Sequence, residues 1–257
     1  MALLKIEYYS EVLEMNRQVN VIYPESSKVE AITKSDIPVL YLLHGMSGNE
    51  NSWLQRSAIE RLVRHSNLAI VMPSTDLGFY VNTTYGMHYY DAIAKELPQV
   101  IRNFFPNLSQ KPEKNFIAGL SMGGYGAYRI ALSSNYFSHA ASLSGALSFE
   151  GMEAAQEANP AYWNGLFGSL EAFEQSDNNL NKLLKAPASK PKLYAWCGHQ
   201  DYLYPANQAI AEKLQSAGFD LTYETADGTH EWYYWAKQIE RVLEWLPIDY
   251  VKEERLS

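Results

Sequence analysis

Phe116-Ile117-Ala118-Gly119-Leu120-Ser121-Met122-Gly123-Gly124-Tyr125-Gly126-Ala127-Tyr128-Arg129 is the stretch on which the reading of this chain turns. It begins as a short apolar run, which reads as a strand, and ends by opening a helical pattern. Between the two, Gly119-Leu120-Ser121-Met122-Gly123 fits G-x-S-x-G. The pattern alone is weak, but in a strand–turn–helix setting it describes a sharp turn that lifts one hydroxyl above the end of a strand. Such a turn forces its central residue into a sparsely populated φ/ψ region. The neighbours must then lack bulk, and Gly119 and Gly123 do. The plainer alternative is a glycine-rich turn with a spectator serine.

Outward from this stretch, Ile37–Leu43 and Leu68–Met72 are continuous apolar runs, the first ending at His44-Gly45 and the second at Pro73. Such runs are strands covered on both faces. Asn115–Leu120, His139–Leu143, Lys192–Cys197 and Leu221–Glu224 are read as further strands. Helical spacing runs through Trp53, Leu54, Ile59, Leu62 and Val63, from Tyr89 to Phe104, and over Tyr125–Ser133, Pro205–Ala217 and Trp232–Trp245. Near the start, the alternation of Leu4, Ile6 and Tyr8 with Val19, Val21 and Tyr23 predicts an antiparallel pair at a sheet edge. Strands alternating with helices predict an α/β fold, a mostly parallel twisted sheet with helices on both faces. No repeat or Ser/Gly linker divides residues 1–257, so one domain is expected. Residues 149–190 break the rhythm and are expected to form a small lid-like insertion near the C-terminal edge of the sheet. The irregular loop Ser74–Met87 carries Phe79-Tyr80-Val81-Asn82-Thr83-Thr84-Tyr85. Its aromatic residues either wall a pocket or serve packing and subunit contacts.

Composition excludes several classes of function. Lys+Arg is 21 against Asp+Glu 29, a net charge of −8, which argues against a nucleic-acid face and against docking on anionic lipid. No apolar run approaches the ~20 residues of a membrane helix. The single cysteine, Cys197, forbids an intrachain disulfide and cysteine-cluster zinc sites, and fits a reducing compartment. No signal-peptide pattern is visible at the start, so a cytoplasmic location is expected. Cys197 falls at a strand end and reads as a buried, inert thiol. The 19 Tyr and 6 Trp suit a packed core, a sugar-binding surface or a homo-oligomer interface, a dimer or tetramer.

A serine hydroxyl is a poor nucleophile unless a base takes its proton, and the base needs an acid to orient it. On a strand–elbow–helix framework the acid and then the histidine follow the serine along the chain. Of the six histidines only His199 and His230 follow Ser121 usefully. His230 lies in a loop between the last strand and the last helix and is the candidate base. Asp201, in Cys197-Gly198-His199-Gln200-Asp201 directly after a buried strand, is the candidate acid, with His199 its neighbour. Asp227 is the rival acid, but three residues before His230 it suits the shaping of a turn. The tetrahedral intermediate needs two backbone donors. They are expected from the amide of Met122 and from that of Met46, in His44-Gly45-Met46-Ser47-Gly48. Residue 234 is Tyr, so His230-Glu231 does not begin an H-E-x-x-H zinc helix. The chemistry requires no metal and no organic cofactor.

With these residues in place, the sequence resembles the esterase D-like branch of the α/β-hydrolases, which includes S-formylglutathione hydrolases, feruloyl and acetylxylan esterases and mycolyltransferases. It is most similar to compact bacterial tributyrin-type esterases. The resemblance is carried by Tyr41-Leu42-Leu43-His44-Gly45-Met46-Ser47-Gly48-Asn49, Gly119–Ala127, Cys197–Asp201 and His230-Glu231-Trp232. It implies an α/β-hydrolase fold, the same three catalytic residues and the same two donors. It also implies that Trp232, at an aromatic position after the histidine, lies near the pocket. The expected activity is a serine carboxylesterase for short-chain acyl esters of small molecules, working through an acyl-enzyme. The alternatives are an S-formylglutathione hydrolase, or an acetyl or feruloyl esterase acting on carbohydrate. Outside that class stand a non-catalytic binding protein of the same fold and a sugar-binding protein or glycosidase. The last would need two carboxylates facing one bond, and the sequence marks no such pair.

Overall fold

The computed structural model describes residues 1–25, 35–149, 153–185 and 187–252. Its strands are β1 (Ala2–Ser10), β2 (Met15–Tyr23), β3 (Val39–Leu43), β4 (Ala69–Pro73), β5 (Asn115–Leu120), β6 (His139–Leu143), β7 (Lys192–Gly198) and β8 (Leu221–Ala226). They form one sheet in the order β1-β2-β4-β3-β5-β6-β7-β8. β1 is an edge strand, antiparallel to β2, which is antiparallel to β4; every pairing from β4 to β8 is parallel. β3 begins two residues after the start of its apolar run. Ile37 makes only an isolated bridge to Leu108, and Pro38 has no N–H for a ladder.

The buried alternation along each strand divides the core in two. Val39, Tyr41 and Leu43 join Ile117, Ala140 and Leu193 on one face, while Leu40 and Leu42 join Phe116, Ala141 and Tyr194 on the other. α1 (Ser52–Arg56), α2 (Ile59–Val63) and α11 (Trp232–Trp245) cover the second face. α11 does so with Trp235, Ile239, Val242 and Leu243, an i, i+4, i+7, i+8 stripe. The first face is covered by α3 (Tyr89–Asp91) and α4 (Leu97–Phe104), joined through the π-turn Ala92–Glu96, and by α5 (Met122–Leu132) and α10 (Tyr204–Ser216). The pattern from Trp53 to Val63 gives two helices rather than one. Ser57 is extended, and its hydroxyl donates to the Trp53 carbonyl at 2.6 Å, a local bond that competes with the helix.

Within the segment expected at 149–190, residues 150–152 and 186 lie outside the described residues. The rest holds α6 (Glu153–Ala158), α7 (Pro160–Phe167), α8 (Leu170–Gln175) and α9 (Leu180–Leu183). Phe149, Trp163 and Phe167 surround the ring of Phe79 with centroids 5.7 Å away, and the Tyr125 hydroxyl donates to the Asn178 carbonyl at 2.7 Å. Phe79, Tyr80 and Val81 are therefore core residues, while Tyr85 is exposed. The packing role of the aromatic loop is the one observed at its first three positions.

Candidate active site

β5 ends at Leu120 and α5 begins at Met122, so Ser121 alone makes the turn, with φ 52° and ψ −120°. The helix starts three residues before the expected Tyr125, because the chain needs no further residue to reverse. A non-glycine residue at such a φ costs about 1–3 kcal/mol, and the surroundings hold it there. Ser121 N donates to the Leu143 carbonyl at 2.9 Å, and the Ser121 carbonyl accepts from Tyr125 N and Ala146 N at 3.1 Å each. A Cβ on Gly123 would stand 2.5 Å from the His44 carbonyl oxygen and 2.7 Å from that of Leu43. Only glycine lets the first turn of α5 lie this close to the end of β3. That contact brings the loop after β3 beside Ser121.

Two other strand ends at the same edge of the sheet supply the partners. His230, in the loop between β8 and α11, places Nε2 2.9 Å from Ser121 Oγ. Its Nδ1 lies 2.9 Å from Asp201 Oδ2 and 3.1 Å from Oδ1. Asp201 follows β7; its carboxylate is fully buried, and Oδ1 also accepts from Leu203 N at 2.9 Å. A carboxylate only accepts, so Nδ1 carries the proton and the Nε2 lone pair faces the serine hydroxyl. Asp227 is placed elsewhere. Its exposed carboxylate lies 3.2 Å from both Gln200 Nε2 and His199 Nδ1, and these hydrogen bonds hold its pKa below the usual carboxylate range.

The loop after β3 is a turn in which Gly48 N donates to the Gly45 carbonyl at 3.1 Å and Ser47 has φ 63°. The Met46 amide takes no part in that bond. The Met122 amide belongs to the first turn of α5, where no intrahelical acceptor exists. His44 braces this loop from beneath. Its Nδ1–H donates to the Gly45 carbonyl at 2.7 Å, its Nε2 accepts from Thr75 N at 3.0 Å, and the Tyr80 hydroxyl donates to its carbonyl at 3.0 Å. Burial pushes the His44 imidazole down to about 4, so it is neutral.

A cleft of 410 Å³ opens over Ser121, lined by Gly45–Asn49, Arg56, Tyr202, His230, Trp232 and Trp235 among others. Trp232 thus stands in the wall, where the resemblance puts it. Trp235 meets the His230 ring edge-on at 4.8 Å and is itself anchored by Nε1 donating to Ser144 Oγ at 3.0 Å. Tyr202 lies on the His230 ring at 4.7 Å. The sequence reading missed Tyr202, Trp235, Ser144 and the bracing role of His44. Only two carried a signal: Tyr202 adjoins Asp201, and Trp235 is one helical turn beyond Trp232. None of the described residues of α6–α9 lines this cleft. Cys197 is fully buried and its thiol is pushed up to about 12 by burial. Among the described residues, no three His, Cys, Asp or Glu side chains gather as a metal site, and no helix is long and apolar enough to cross a membrane.

Comparison with known proteins points to esterases. A model of the Esterase family matches residues 10–246. An acetyl esterase of Caldicellulosiruptor saccharolyticus is 34% identical over 262 residues, covering 96% of this chain and 98% of its own. Two solved structures from Staphylococcus aureus are each 31% identical over 95% of this chain and 98% of theirs. They are FphF, a fluorophosphonate-binding serine hydrolase with substrate bound, at a TM-score of 0.86, and the S-formylglutathione hydrolase FrmB as apoenzyme, at 0.83. The chain belongs to the Esterase family and is a serine hydrolase of carboxylic esters.

Proposed function

We propose that Ser121 is the nucleophile, His230 the general base and Asp201 its orienting acid, in hydrolysis of short-chain acyl esters such as acetates and butyrates. The observation that carries the assignment is the continuous line from Ser121 Oγ to His230 Nε2 at 2.9 Å and from His230 Nδ1 to the Asp201 carboxylate at 2.9 and 3.1 Å. The ester carbonyl oxygen rests against the amides of Met46 and Met122. Ser121 Oγ attacks the carbonyl carbon as His230 takes its proton, and the buried Asp201 charge stabilises the imidazolium. The intermediate collapses, the acyl C–O bond breaks, and the leaving oxygen takes the proton from His230. Water then attacks the acyl-enzyme by the same route and frees the acid. Each donor amide contributes about 3 kcal/mol to lowering the barrier.

The small cleft and the acetyl esterase relative support a short acyl chain. In this reading residues 1–257 act as one domain, and residues 149–190 are an insertion that buttresses α5 and the aromatic loop. A lone buried thiol suits work in the cytoplasm. The test is Ser121→Ala assayed with 4-nitrophenyl acetate, beside fluorophosphonate labelling of both proteins. The expected results are a fall in kcat of about 10⁴-fold or more and loss of the label. Wild-type turnover in the variant refutes the assignment.

A further inference from the structure

We infer that Arg56 selects esters whose leaving group carries a carboxylate. Arg56 ends α1 and lines the same cleft as Ser121. Its guanidinium lies over the face of Trp232, 5.9 Å from the ring centroid, and no carboxylate among the described residues pairs with it. The acidic residues closest to it along the chain are turned to other work. The Glu50 carboxylate is buried and accepts from Asn51 Nδ2 at 2.6 Å, and Glu60 lines a separate cleft with Arg61 and Arg64. Glu231, between His230 and Trp232 in the chain, accepts from the Thr229 hydroxyl at 3.1 Å. Among the described residues no Asp or Glu lines the cleft, so in a chain of net charge −8 the one fixed charge they bring to it is a cation.

The position of that cation decides which part of the substrate it reads. The leaving oxygen must take its proton from His230, so the leaving group lies on the His230 side of the scissile bond. On that side the rings form a connected wall. Trp235 meets His230 at 4.8 Å and Trp232 meets Trp235 at 5.7 Å, with the buried Trp53 behind Trp232 at 5.1 Å. Arg56 caps this wall at Trp232. The cation–π contact with Trp232 leaves the guanidinium without a carboxylate partner among the described residues, and its planar fork can take a carboxylate through two N–H groups, which a lysine cannot do. A leaving alcohol or thiol with an apolar body and an anionic end fits the wall and its cap together. The inference rests on the proposed roles of Ser121 and His230.

Three small esters test it. 3-Acetoxybenzoate carries a carboxylate on the leaving group, 3-acetoxybenzamide is its neutral counterpart, and phenyl hydrogen succinate carries the charge on the acyl side. The quantity read is the ratio of kcat/KM for 3-acetoxybenzoate to that for 3-acetoxybenzamide, which cancels differences in protein quality. In Arg56→Gln this ratio should fall about fivefold, the range of a partly exposed ion pair, and in Arg56→Glu it should fall further. In the wild type the same ratio should fall as salt rises from about 10 mM to about 500 mM, a measurement that needs no variant. An unchanged ratio in both variants overturns the inference. So does a loss confined to phenyl hydrogen succinate, which would put the cation on the acyl side. If Ser121→Ala still hydrolyses 3-acetoxybenzamide, the underlying site assignment fails and the inference falls with it. If that activity vanishes and the ratio stays flat, Arg56 alone is misread.

Discussion

Replacing Asp201 with Asn should disable the enzyme without moving an atom of the backbone, and the hydrogen bonds say why. Asp201 Oδ1 accepts from Leu203 N at 2.9 Å and from His230 Nδ1 at 3.1 Å, while Oδ2 accepts from His230 Nδ1 at 2.9 Å. An asparagine in this buried slot keeps its oxygen on the Leu203 amide, since an N–H there would face another donor. Its NH₂ then replaces Oδ2 and faces Nδ1. The imidazole must accept at Nδ1 and carry its proton on Nε2, aimed at the Ser121 hydroxyl it should deprotonate. The wrong tautomer and the missing negative charge together lower kcat by about 10⁴-fold, or about 5 kcal/mol in the barrier. The assay is kcat with 4-nitrophenyl acetate, with near-ultraviolet circular dichroism to show an intact fold. Asp227→Asn is the matched control. Its carboxylate is exposed and engages His199 and Gln200, so activity should change less than twofold by the measure of ordinary surface substitutions. A larger loss in Asp227→Asn than in Asp201→Asn refutes the reasoning.

Two further outcomes concern groups the reaction does not touch. Burial lowers His44 from 6.5 to about 4, so the unfolded chain binds its proton first; stability conferred by the neutral ring is complete above pH 6.5 and is lost as pH falls towards 4. The span is worth about 3 kcal/mol, so the urea midpoint of the wild type should fall more steeply between those pH values than that of His44→Asn; equal slopes would remove His44 from the account. Cys197, fully buried with its thiol raised to about 12, should react with a maleimide orders of magnitude more slowly in the native protein than in urea. Equal rates would show that β7 opens readily.

Much of the fold was legible because most of the parallel strands are buried on both faces and so appear as uninterrupted apolar runs. Trp232–Trp245 was legible to the residue, because its buried stripe repeats without a break. The misreadings came where local chemistry overrode periodicity. Ser57 splits one helical pattern by bonding its hydroxyl to the Trp53 carbonyl. Pro38 delays β3, and α5 starts early because Ser121 completes the reversal alone. The three residues named for the chemistry could be found from chain order, since each must lie at the C-terminal end of a strand. Ser144 and Arg56 could not, because their places beside the site depend on the end of β6 and the end of α1 meeting residues distant in the chain. In the sequence Asp201 and Asp227 are separated by place after a buried strand and by spacing from His230; the structure separates them by burial and by partner.

The same seam that shapes the elbow also sets the spacing of the two proposed donor amides. Met46 lies three residues beyond the end of β3, and Met122 opens α5; the two elements meet where Gly123 lies against the carbonyls of Leu43 and His44. Any side chain at residue 123 would push α5 from β3 and separate the donors, whatever became of Ser121 and His230. The loop side of this seam is pinned by His44 through both ring nitrogens, and that arrangement requires the neutral imidazole, because Nε2 must accept from Thr75 N. A surface histidine there would charge near pH 6.5 and lose the Thr75 bond. Burial moves that event to about pH 4. Loss of activity on mild acidification therefore belongs to a group other than this brace, and the loop keeps its shape down to that pH.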